Sequence, residues 1–446
     1  MRHFRRFEIF ALIALVAIPG LGQSRARSSS VQRWIPTWVT APQSPRASVT
    51  VPRPAGTPAP QPKQVSAARP PITTFNDQTV RMIVHTSIPG NRVRIHLANY
   101  YGDRPVTIGA AHIALRAKDS EIVPGSDRAL TFSGNSSFTI PQGARIISDA
   151  VDLNVPSSGD LVVSVFASGE TGPASYHSVG LHTTYIVKGD ATGKTSLEKA
   201  ETSLSYFWLT SVDVMATRDT VTVVTLGDSI TDGTRSKPDT NSAWPSFLAG
   251  RLLSTPTTAR VAVLNQGISA NRVLRGGLGD AALARFDRDV LLQPNVKWVT
   301  VLEGINDIGA GIGEAFVFGP RPDAPAAEIV TAEQLIAAYR QLIDRAHDHG
   351  IKVIGGTLLP FEGAAYYSQH GNETRHTVNQ WIRTSKAYDA VVDFDALIQD
   401  PSSPNKMRQE FDSGDHLHPN DSGYKAMADA IDISLFGAHK KPARKR

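Results

Sequence analysis

The chain of 446 residues contains no cysteine. This absence excludes a disulfide framework, a thiolate metal site and a membrane anchor attached through a lipidated cysteine. A protein of this length can still be stabilised by its own packed core, and its size favours two domains over one. The hydrophobic share of 41% and the charged share of 20% are those of an ordinary globular protein.

Long hydrophobic runs are also absent, apart from a short one near the N-terminus. Three arginines within residues 1–6 precede an apolar run from 9 to 18, and Gly20-Leu21-Gly22 follows as a small-x-small cleavage signal. Such a run is too short to cross a bilayer easily. We therefore expect residues 1–22 to be the signal peptide of a secreted or periplasmic protein, with no stable membrane insertion after cleavage. The alternative is an N-terminal membrane anchor.

The body of the chain has no excess of positive charge. The formal net charge is +5, but residues 1–22 carry +2 and the tail 439–446 carries +5, which leaves −2 for the remainder. A nucleic-acid-binding protein would gather its basic residues on a folded face. We therefore expect no nucleic-acid partner, and we interpret residues 439–446 as a solvated basic tail.

The patterns between these ends divide the chain into three segments. Residues 23–78 are rich in Ser, Arg and Pro and predict a tether and an extended loop, although the apolar stretch 34–39 should pack on something. Residues 79–215 alternate polar and apolar side chains between turn signals, which predicts an antiparallel β-sandwich domain. Residues 216–438 alternate apolar runs with helical patterns. They predict an α/β domain, with a doubly wound parallel five-stranded sheet.

Four polar clusters in the last segment follow predicted strands or precede the last helix. They are Gly227-Asp228-Ser229, Asn265-Gln266-Gly267, Gly304-Ile305-Asn306-Asp307 and Asp415-His416-Leu417-His418. Ligands of open parallel sheets bind in the crevice outside the carboxyl ends of the strands. We therefore expect all four clusters at one edge of the sheet.

The residue types in these clusters fit acyl transfer. A serine hydroxyl becomes a nucleophile when a histidine takes its proton, and a carboxylate fixes the tautomer of that histidine. We predict that Ser229 is the nucleophile, His418 the base and Asp415 its carboxylate. The backbone N–H groups of Ser229 and Gly267 and the side-chain amide of Asn306 are the predicted donors of an oxyanion hole.

Other interpretations of the histidine cluster stay open. His416 competes with His418 for the role of the base. An Asp-His-x-His cluster could instead bind a metal, because histidine is a common ligand. No further motif supports a zinc site, so we expect no metal and no cofactor.

Structural roles are also open for the remaining polar residues. Asn306 could cap the following segment, and Asp228 and Asp307 suit turn-shaping hydrogen bonds better than catalysis. No Gly-x-Ser-x-Gly motif surrounds the serine, which disfavours the α/β-hydrolase fold. His177 and His182 have no partner that the sequence can assign.

In type and order, the four clusters resemble the four blocks of the SGNH/GDSL hydrolase superfamily, over about residues 220–436. The resemblance implies a flavodoxin-like fold and gives Ser229, Gly267, Asn306 and His418 the roles described above, with the aspartate supporting the histidine. The stretches LNQGISANRVL, ARFDRDVL and EGINDIG are similar in particular to the XynE-like esterase subgroup, whose members carry a β-rich domain before the hydrolase. Ala270 departs from the glycine that many members have after the serine of the second block.

The resemblance implies a serine esterase that removes acyl groups, above all acetyl. Together with the expected secretion, it indicates plant-type polysaccharides such as xylan as the substrate. The alternatives are a lipase, lysophospholipase or arylesterase of the same fold, and a carbohydrate-binding protein without catalysis. The Gly- and Pro-rich segment 309–327 is long for a β/α connection and is predicted to form part of the acceptor-side wall of the cleft.

Overall fold

The computed structural model describes residues 32–45, 73–310 and 329–437. The predicted signal peptide, the basic tail and nearly all of segment 309–327 lie outside these ranges, so the expectations about them stay predictions. Within the described ranges, no helix combines the length and the apolar character that a membrane span requires.

The first half of the described chain is built from short strands, as its two-residue period predicts. They are β1 (Gln32–Val39), β2 (Thr74–His85), β3 (Gly90–Ala98), β4 (Val106–Lys118), β5 (Glu121–Ile122), β6 (Arg128–Leu130), β7 (Phe138–Ile140), β8 (Arg145–Ile147), β9 (Val151–Val155), β10 (Asp160–Pro173), β11 (Tyr176–His177), β12 (Thr184–Lys188), β13 (Glu201–Ser203), β14 (Tyr206–Phe207) and β15 (Leu209–Thr217).

These strands form two antiparallel sheets and one small strand pair. The first sheet has the order β1-β15-β3-β8, with β9 beside β3. The second has the order β13-β12-β2-β10-β4-β5, with β6 and β7 beside β4, and β11 pairs with β14. Buried side chains of both sheets, such as Ile95 of the first and Val163 of the second, belong to one apolar cluster. Burying one face of each sheet against the other is what their alternating patterns require.

Strand β1 lies inside the range predicted as a tether. It pairs antiparallel with β15, from Gln32 opposite Thr217 to Val39 opposite Ser211. The partner strand is far away along the chain, so only the apolar character of residues 34–39 indicates in the sequence that this segment is ordered. Strand β2 likewise begins at Thr74, inside the predicted loop.

The second half contains a five-stranded parallel sheet, as predicted. Its strands are β16 (Val221–Gly227), β17 (Val261–Gly267), β18 (Val296–Leu302), β19 (Lys352–Gly356) and β20 (Ala390–Val392), in the order β17-β16-β18-β19-β20. All four strand pairings are parallel. This is the 2-1-3-4-5 order of flavodoxin-like sheets, and its connections reverse direction at the first strand. The carboxyl end of β16 is therefore the expected place for a ligand.

Helices connect these strands, and a small hairpin follows the sheet. The helices are α1 (Ser229–Asp232), α2 (Trp244–Ser254), α3 (Ala282–Phe286), α4 (Ile305–Ala310), α5 (Ala332–Asp348), α6 (Gln369–Thr384), α7 (Phe394–Ile398) and α8 (Asp421–Ala430). A π-helical turn at Asp287–Leu291 extends α3, a 3-10 turn at Ile433–Phe436 follows α8, and β21 (Gln399–Asp400) pairs with β22 (Ser403–Met407).

Local signals determine where the long helices begin. Thr331 and Gln334 predict a capping box, and this box is confirmed: each side chain bonds to the backbone of the other residue at the start of α5. The pattern predicts only residues 378–386 as the next helix, but α6 begins at Gln369, where Ser368 caps it. The prediction missed residues 369–377 because this stretch is polar and contains a glycine, so it lacks an apolar period.

The two halves share side-chain packing. Val39 of β1 belongs to the apolar core of the parallel sheet, and Ala262 of β17 belongs to the core of the antiparallel sheets. The described residues from Gln32 onward form one compact unit. Where the two predicted domains divide stays a prediction.

Candidate active site

The residue predicted as the nucleophile lies at the carboxyl end of the central strand. Strand β16 ends at Gly227, Asp228 caps helix α1 by accepting a hydrogen bond from the N–H of Ile230 at 2.9 Å, and Ser229 is the first residue of α1. A Cβ atom at Gly227 would lie 2.5 Å from the carbonyl oxygen of Leu302, so glycine is required where the chain turns from the strand into the helix. This turn places Ser229 at the edge of the sheet.

Three of the predicted site residues are in hydrogen-bond contact. The hydroxyl oxygen of Ser229 lies 2.8 Å from Nε2 of His418, and Nδ1 of the same ring lies 2.8 Å from Oδ2 of Asp415. Because a carboxylate only accepts, Nδ1 must carry the proton, and Nε2 of a neutral ring is then free to accept from the serine hydroxyl. The imidazole thus has the tautomer that a general base needs.

Asp415 is surrounded by donors. Its Oδ1 accepts from the N–H groups of His418 at 2.9 Å and Leu417 at 3.1 Å, and its Oδ2 accepts from Nε of Arg235 at 2.9 Å as well as from the imidazole. Partial burial alone would raise the pKa of this carboxyl, but the hydrogen bonds and the neighbouring charges hold it well below its usual range. Asp415 is therefore ionised at neutral pH.

His416, the competing candidate for the base, points to another partner. Its backbone is in the left-handed region with a φ of 60°, and its Nδ1 lies 2.6 Å from Oδ2 of Asp412. The structure therefore brings His418, rather than His416, to the serine. Among residues 32–45, 73–309 and 329–437, no three His, Asp or Glu side chains lie close enough together to form a metal site.

Two of the predicted oxyanion donors are available in this structure. The N–H of Ser229 opens α1, where no preceding helical turn supplies an acceptor. The side chain of Asn306, 2% exposed, donates one N–H to the carbonyl of Asn271 at 2.9 Å, while its oxygen accepts from the hydroxyl of Tyr366 at 3.2 Å. These two bonds fix the orientation of the amide and leave its second N–H for an oxyanion.

The third predicted donor already has a partner. The N–H of Gly267 donates to the side-chain oxygen of Asn265 at 2.9 Å, and Nδ2 of Asn265 donates to the carbonyl of Thr231 at 2.9 Å. Gly267 would have to exchange this partner for an oxyanion. The packing also accounts for the glycine, because a Cβ there would lie 2.6 Å from Cα of Asp232.

The acids predicted to shape turns do so. Asp307 accepts from the N–H groups of Val273 at 2.8 Å and Leu274 at 3.0 Å and so ties the loop after β17 to helix α4. Burial, which outweighs these bonds, raises the pKa of Asp307 to about 6. Burial likewise raises the pKa of Asp228 to about 7, with the carboxyls of Asp307 and Asp232 adding to the effect. The hydrogen bonds of both acids come from backbone N–H groups, and not from the serine hydroxyl or the imidazole.

A buried arginine in ARFDRDVL joins the strand ends and was not predicted as a site residue. Arg285 donates to the carbonyls of Gln266 at 2.6 Å and Gly227 at 3.1 Å, and to the side-chain oxygen of Asn271 at 2.9 Å. Its guanidinium also lies 3.5 Å from the buried carboxyl of Glu303. This stretch is part of the family resemblance, but no local pattern in the sequence indicates that its first arginine binds the ends of the strands.

Arg235 allows a test of the electrostatics of the site. Its side chain is 59% exposed at the edge of the site. Arg235→Gln removes a positive charge beside the Asp415–His418 pair, so the imidazole should gain a proton more readily. We expect the acidic limb of kcat/KM to move to higher pH by roughly 0.2–0.7 unit, because exposed pairs are worth only about 0.2–1 kcal/mol.

The measurement is the pH dependence of kcat/KM on a soluble ester. Lys237→Gln is the matched control, since it removes a cation from the same loop, while the cation paired with the Asp415 carboxylate is Arg235. An acidic limb that moves equally in both variants, or in neither, would show that Arg235 does not act on the pair.

The fold and the site together define a class of protein. A parallel 2-1-3-4-5 sheet presents a serine, a histidine and an aspartate in hydrogen-bonded series at the carboxyl end of its central strand, as in enzymes that transfer acyl groups through serine.

The comparison with protein families narrows this class. Residues 225–426 match the GDSL-like Lipase/Acylhydrolase family. This part of the chain belongs to the SGNH/GDSL superfamily, and the protein is a carboxylic ester hydrolase. No curated protein gives a significant match.

Several solved structures are similar to about half of this chain. A protein described as lipolytic, of the G-D-S-L family from Desulfitobacterium hafniense, is 22% identical over 47% of this chain and 97% of its own, with a TM-score of 0.34. Axe2, an acetylxylan esterase from Geobacillus stearothermophilus, is 22% identical over 50% and 97%, with a TM-score of 0.35. A GDSL-like lipase from Bacteroides thetaiotaomicron is 17% identical over 48% and 87%, with a TM-score of 0.35. These likenesses are too low to say anything about the substrate of this chain.

Proposed function

We propose that the protein hydrolyses esters by a two-step acyl transfer through Ser229. The observation that carries this proposal is the unbroken series of contacts from the serine oxygen to Nε2 of His418 and from Nδ1 to Asp415, each 2.8 Å long. Distances of this length are those of a nucleophile paired with its base and of a base paired with the group that orients it.

In the first step, the oxygen of Ser229 attacks the ester carbonyl while its proton passes to Nε2 of His418. The carbonyl oxygen becomes an oxyanion that the N–H of Ser229 and the free N–H of Asn306 stabilise. The imidazolium, paired with Asp415, then gives its proton to the leaving alcohol as the C–O bond breaks, and an acyl-serine remains.

In the second step, a water molecule replaces the alcohol. His418 takes a proton from this water as its oxygen attacks the acyl-serine, and it returns the proton to Ser229 when the carboxylic acid departs. Ester and water are consumed, and alcohol and acid are formed. Because water is the co-substrate and no step changes an oxidation state, the chain's own residues suffice for both steps.

The preferred substrate is an acetyl ester on a plant-type polysaccharide such as xylan, and the enzyme acts outside the cytoplasm. The motif resemblance to the XynE-like subgroup supports the substrate, and the signal-peptide pattern of residues 1–22 supports secretion or a periplasmic location. The partner is thus an acylated small molecule or polysaccharide, with no cofactor and no nucleic acid.

A panel of esters tests the acyl preference. We expect kcat/KM to fall at least about tenfold from acetyl to octanoyl nitrophenyl esters, because an acyl site shaped for two carbons excludes the longer chain. We also expect acetate release from acetylated xylan. Ser229→Ala, measured on every substrate, gives the background that does not depend on the site.

The other outcomes of this panel identify the alternatives. A kcat/KM that rises with chain length would favour a lipase or lysophospholipase, and a preference for aromatic alcohols with no release from xylan would favour an arylesterase. A wild-type protein that hydrolyses none of these esters but binds xylan would favour the non-catalytic carbohydrate-binding protein.

A further inference from the structure

A histidine of the antiparallel region reaches the helix that carries Ser229. His177 lies in β11, is 3% exposed, and places its Nε2 at 2.9 Å from Oδ1 of Asp232. Asp232 is the last residue of α1, three residues after Ser229, and it too is buried. This contact therefore joins the β-rich region to the nucleophile's own helix, and neither residue takes part in the acyl transfer described above.

The neighbours of His177 determine its protonation state. Its second nitrogen, Nδ1, faces the carbonyl oxygen of Ala41 at 2.8 Å, so both ring nitrogens face acceptors. A neutral imidazole has a single N–H and could satisfy only one of them, whereas an imidazolium donates to both. The geometry therefore calls for a buried imidazolium paired with the carboxylate of Asp232.

The charges around this pair agree with that conclusion. Burial alone would lower the pKa of His177, but the Asp232 carboxylate and the two hydrogen bonds outweigh burial and raise it above its ordinary value. Arg285 is the nearby cation that opposes this rise. The ring of Tyr206 stacks at 6.5 Å and stays neutral, because burial raises the pKa of its hydroxyl well above the usual range.

The other oxygen of Asp232 supports the loop after β17. Oδ2 accepts from both the N–H of Ser269 at 2.8 Å and its hydroxyl at 2.7 Å. The hydroxyl of Ser269 also lies 2.7 Å from that of Thr234, just after α1. The next residue, Ala270, has a φ of 60°, a left-handed conformation that favours glycine. Asp232 thus holds an unfavourable backbone turn close to Gly267.

We propose that His177 is a positioning residue of the esterase: its imidazolium fixes Asp232, and through Ser269 it fixes the loop whose Asn271 carbonyl holds the Asn306 amide in place. The β-rich region is then a structural part of the active site, which the parallel sheet does not complete alone. This inference rests on the proposed function. It predicts that loss of the His177 proton at alkaline pH turns a nitrogen lone pair towards an acceptor oxygen and loosens the loop.

Two substitutions at this position separate positioning from stability. His177→Ala removes both bonds, and we expect kcat to fall about 10- to 100-fold with KM changed less than about threefold, since the loop acts on the transition state. His177→Gln keeps a donor near the position of Nε2 but does not titrate. We expect it to retain kcat within about fivefold of wild type at neutral pH and to lack the alkaline decline that wild type shows.

The thermal stability should also depend on whether His177 is protonated. A histidine with a raised pKa stabilises the fold fully below its unfolded pKa of 6.5, and this contribution is lost as the pH rises through the folded value. The Tm advantage of wild type over His177→Gln should therefore be largest at about pH 6 and shrink towards pH 9. His112→Ala is the matched control, because it removes a histidine–aspartate contact of 2.8 Å between strand β4 and Asp127, the residue just before β6, away from helix α1.

The outcomes distinguish this inference from the proposed function. If Ser229→Ala abolishes hydrolysis but His177→Ala keeps wild-type kcat, or loses no more than His112→Ala, the positioning role is wrong and the esterase mechanism stands. An alkaline decline in His177→Gln equal to that of wild type would also overturn it, and this readout remains if His177→Ala does not fold. Hydrolysis that survives Ser229→Ala would instead contradict the proposed function.

Discussion

Ser229→Ala should lower kcat by a factor of about 10⁴ to 10⁶ while KM stays close to the wild-type value. The hydroxyl supplies the atom that bonds to the acyl carbon, and among the described residues it is the side chain in hydrogen-bond contact with Nε2 of His418. Substrate binding does not depend on that bond, so ground-state affinity should persist. The residual rate reflects the remaining oxyanion donors and attack by water. Steady-state kinetics on an acetyl ester measure the loss.

Ser236→Ala is the matched control for this variant. Ser236 is also a buried serine, it follows α1 by a few residues, and its hydroxyl has no hydrogen-bond partner among the described residues. Removing it should leave kcat within about twofold of wild type, because no bond is lost. A large loss of activity in both variants would indicate that packing near α1, and not the nucleophile, is responsible.

His418→Ala should cost nearly as much as Ser229→Ala, and the double variant should be no slower than the slower single variant. The two residues act as one unit: without the base the hydroxyl keeps its proton, and without the hydroxyl the base has nothing to activate. If the two residues contributed independently, the losses of kcat in the two single variants would instead multiply in the double variant. The measurement is kcat of both single variants and the double variant, with the Tm of each to show that it is folded.

His416→Ala is the matched control for the base. It removes an imidazole two residues away that lies 2.6 Å from Asp412 and is half exposed. We expect a loss of less than about tenfold, because an exposed histidine–aspartate contact contributes little. If His416→Ala abolished activity while His418→Ala retained it, the assignment of the base would be reversed.

The sequence predicts those parts of the fold and the site whose signal is local or periodic. Alternating strands, continuous apolar runs and the capping box of α5 each express a constraint within a few residues, so their elements were predicted to within a few positions. The Ser229, Asn306 and His418 clusters could be placed at one edge because parallel strands bring their carboxyl ends together.

The sequence does not predict contacts that join distant parts of the chain. Strand β1 is specified by pairing with β15, and the partner of His177 lies in another structural region; neither relation leaves a local pattern. The bond from Gly267 to Asn265 depends on a side-chain rotamer, which no spacing of residue types reveals. Such contacts depend on the packed fold rather than on propensity.

The most direct test of the central claim is covalent trapping of the nucleophile. The protein is treated with an organophosphonate ester, digested and analysed by mass spectrometry, with loss of esterase activity followed in parallel. The proposed mechanism predicts one phosphonate per chain, attached to Ser229, with labelling at the rate of inactivation and no labelling in His418→Ala. Complete inactivation with the phosphonate on a different residue, or an active protein in which Ser229 is never labelled, would contradict it.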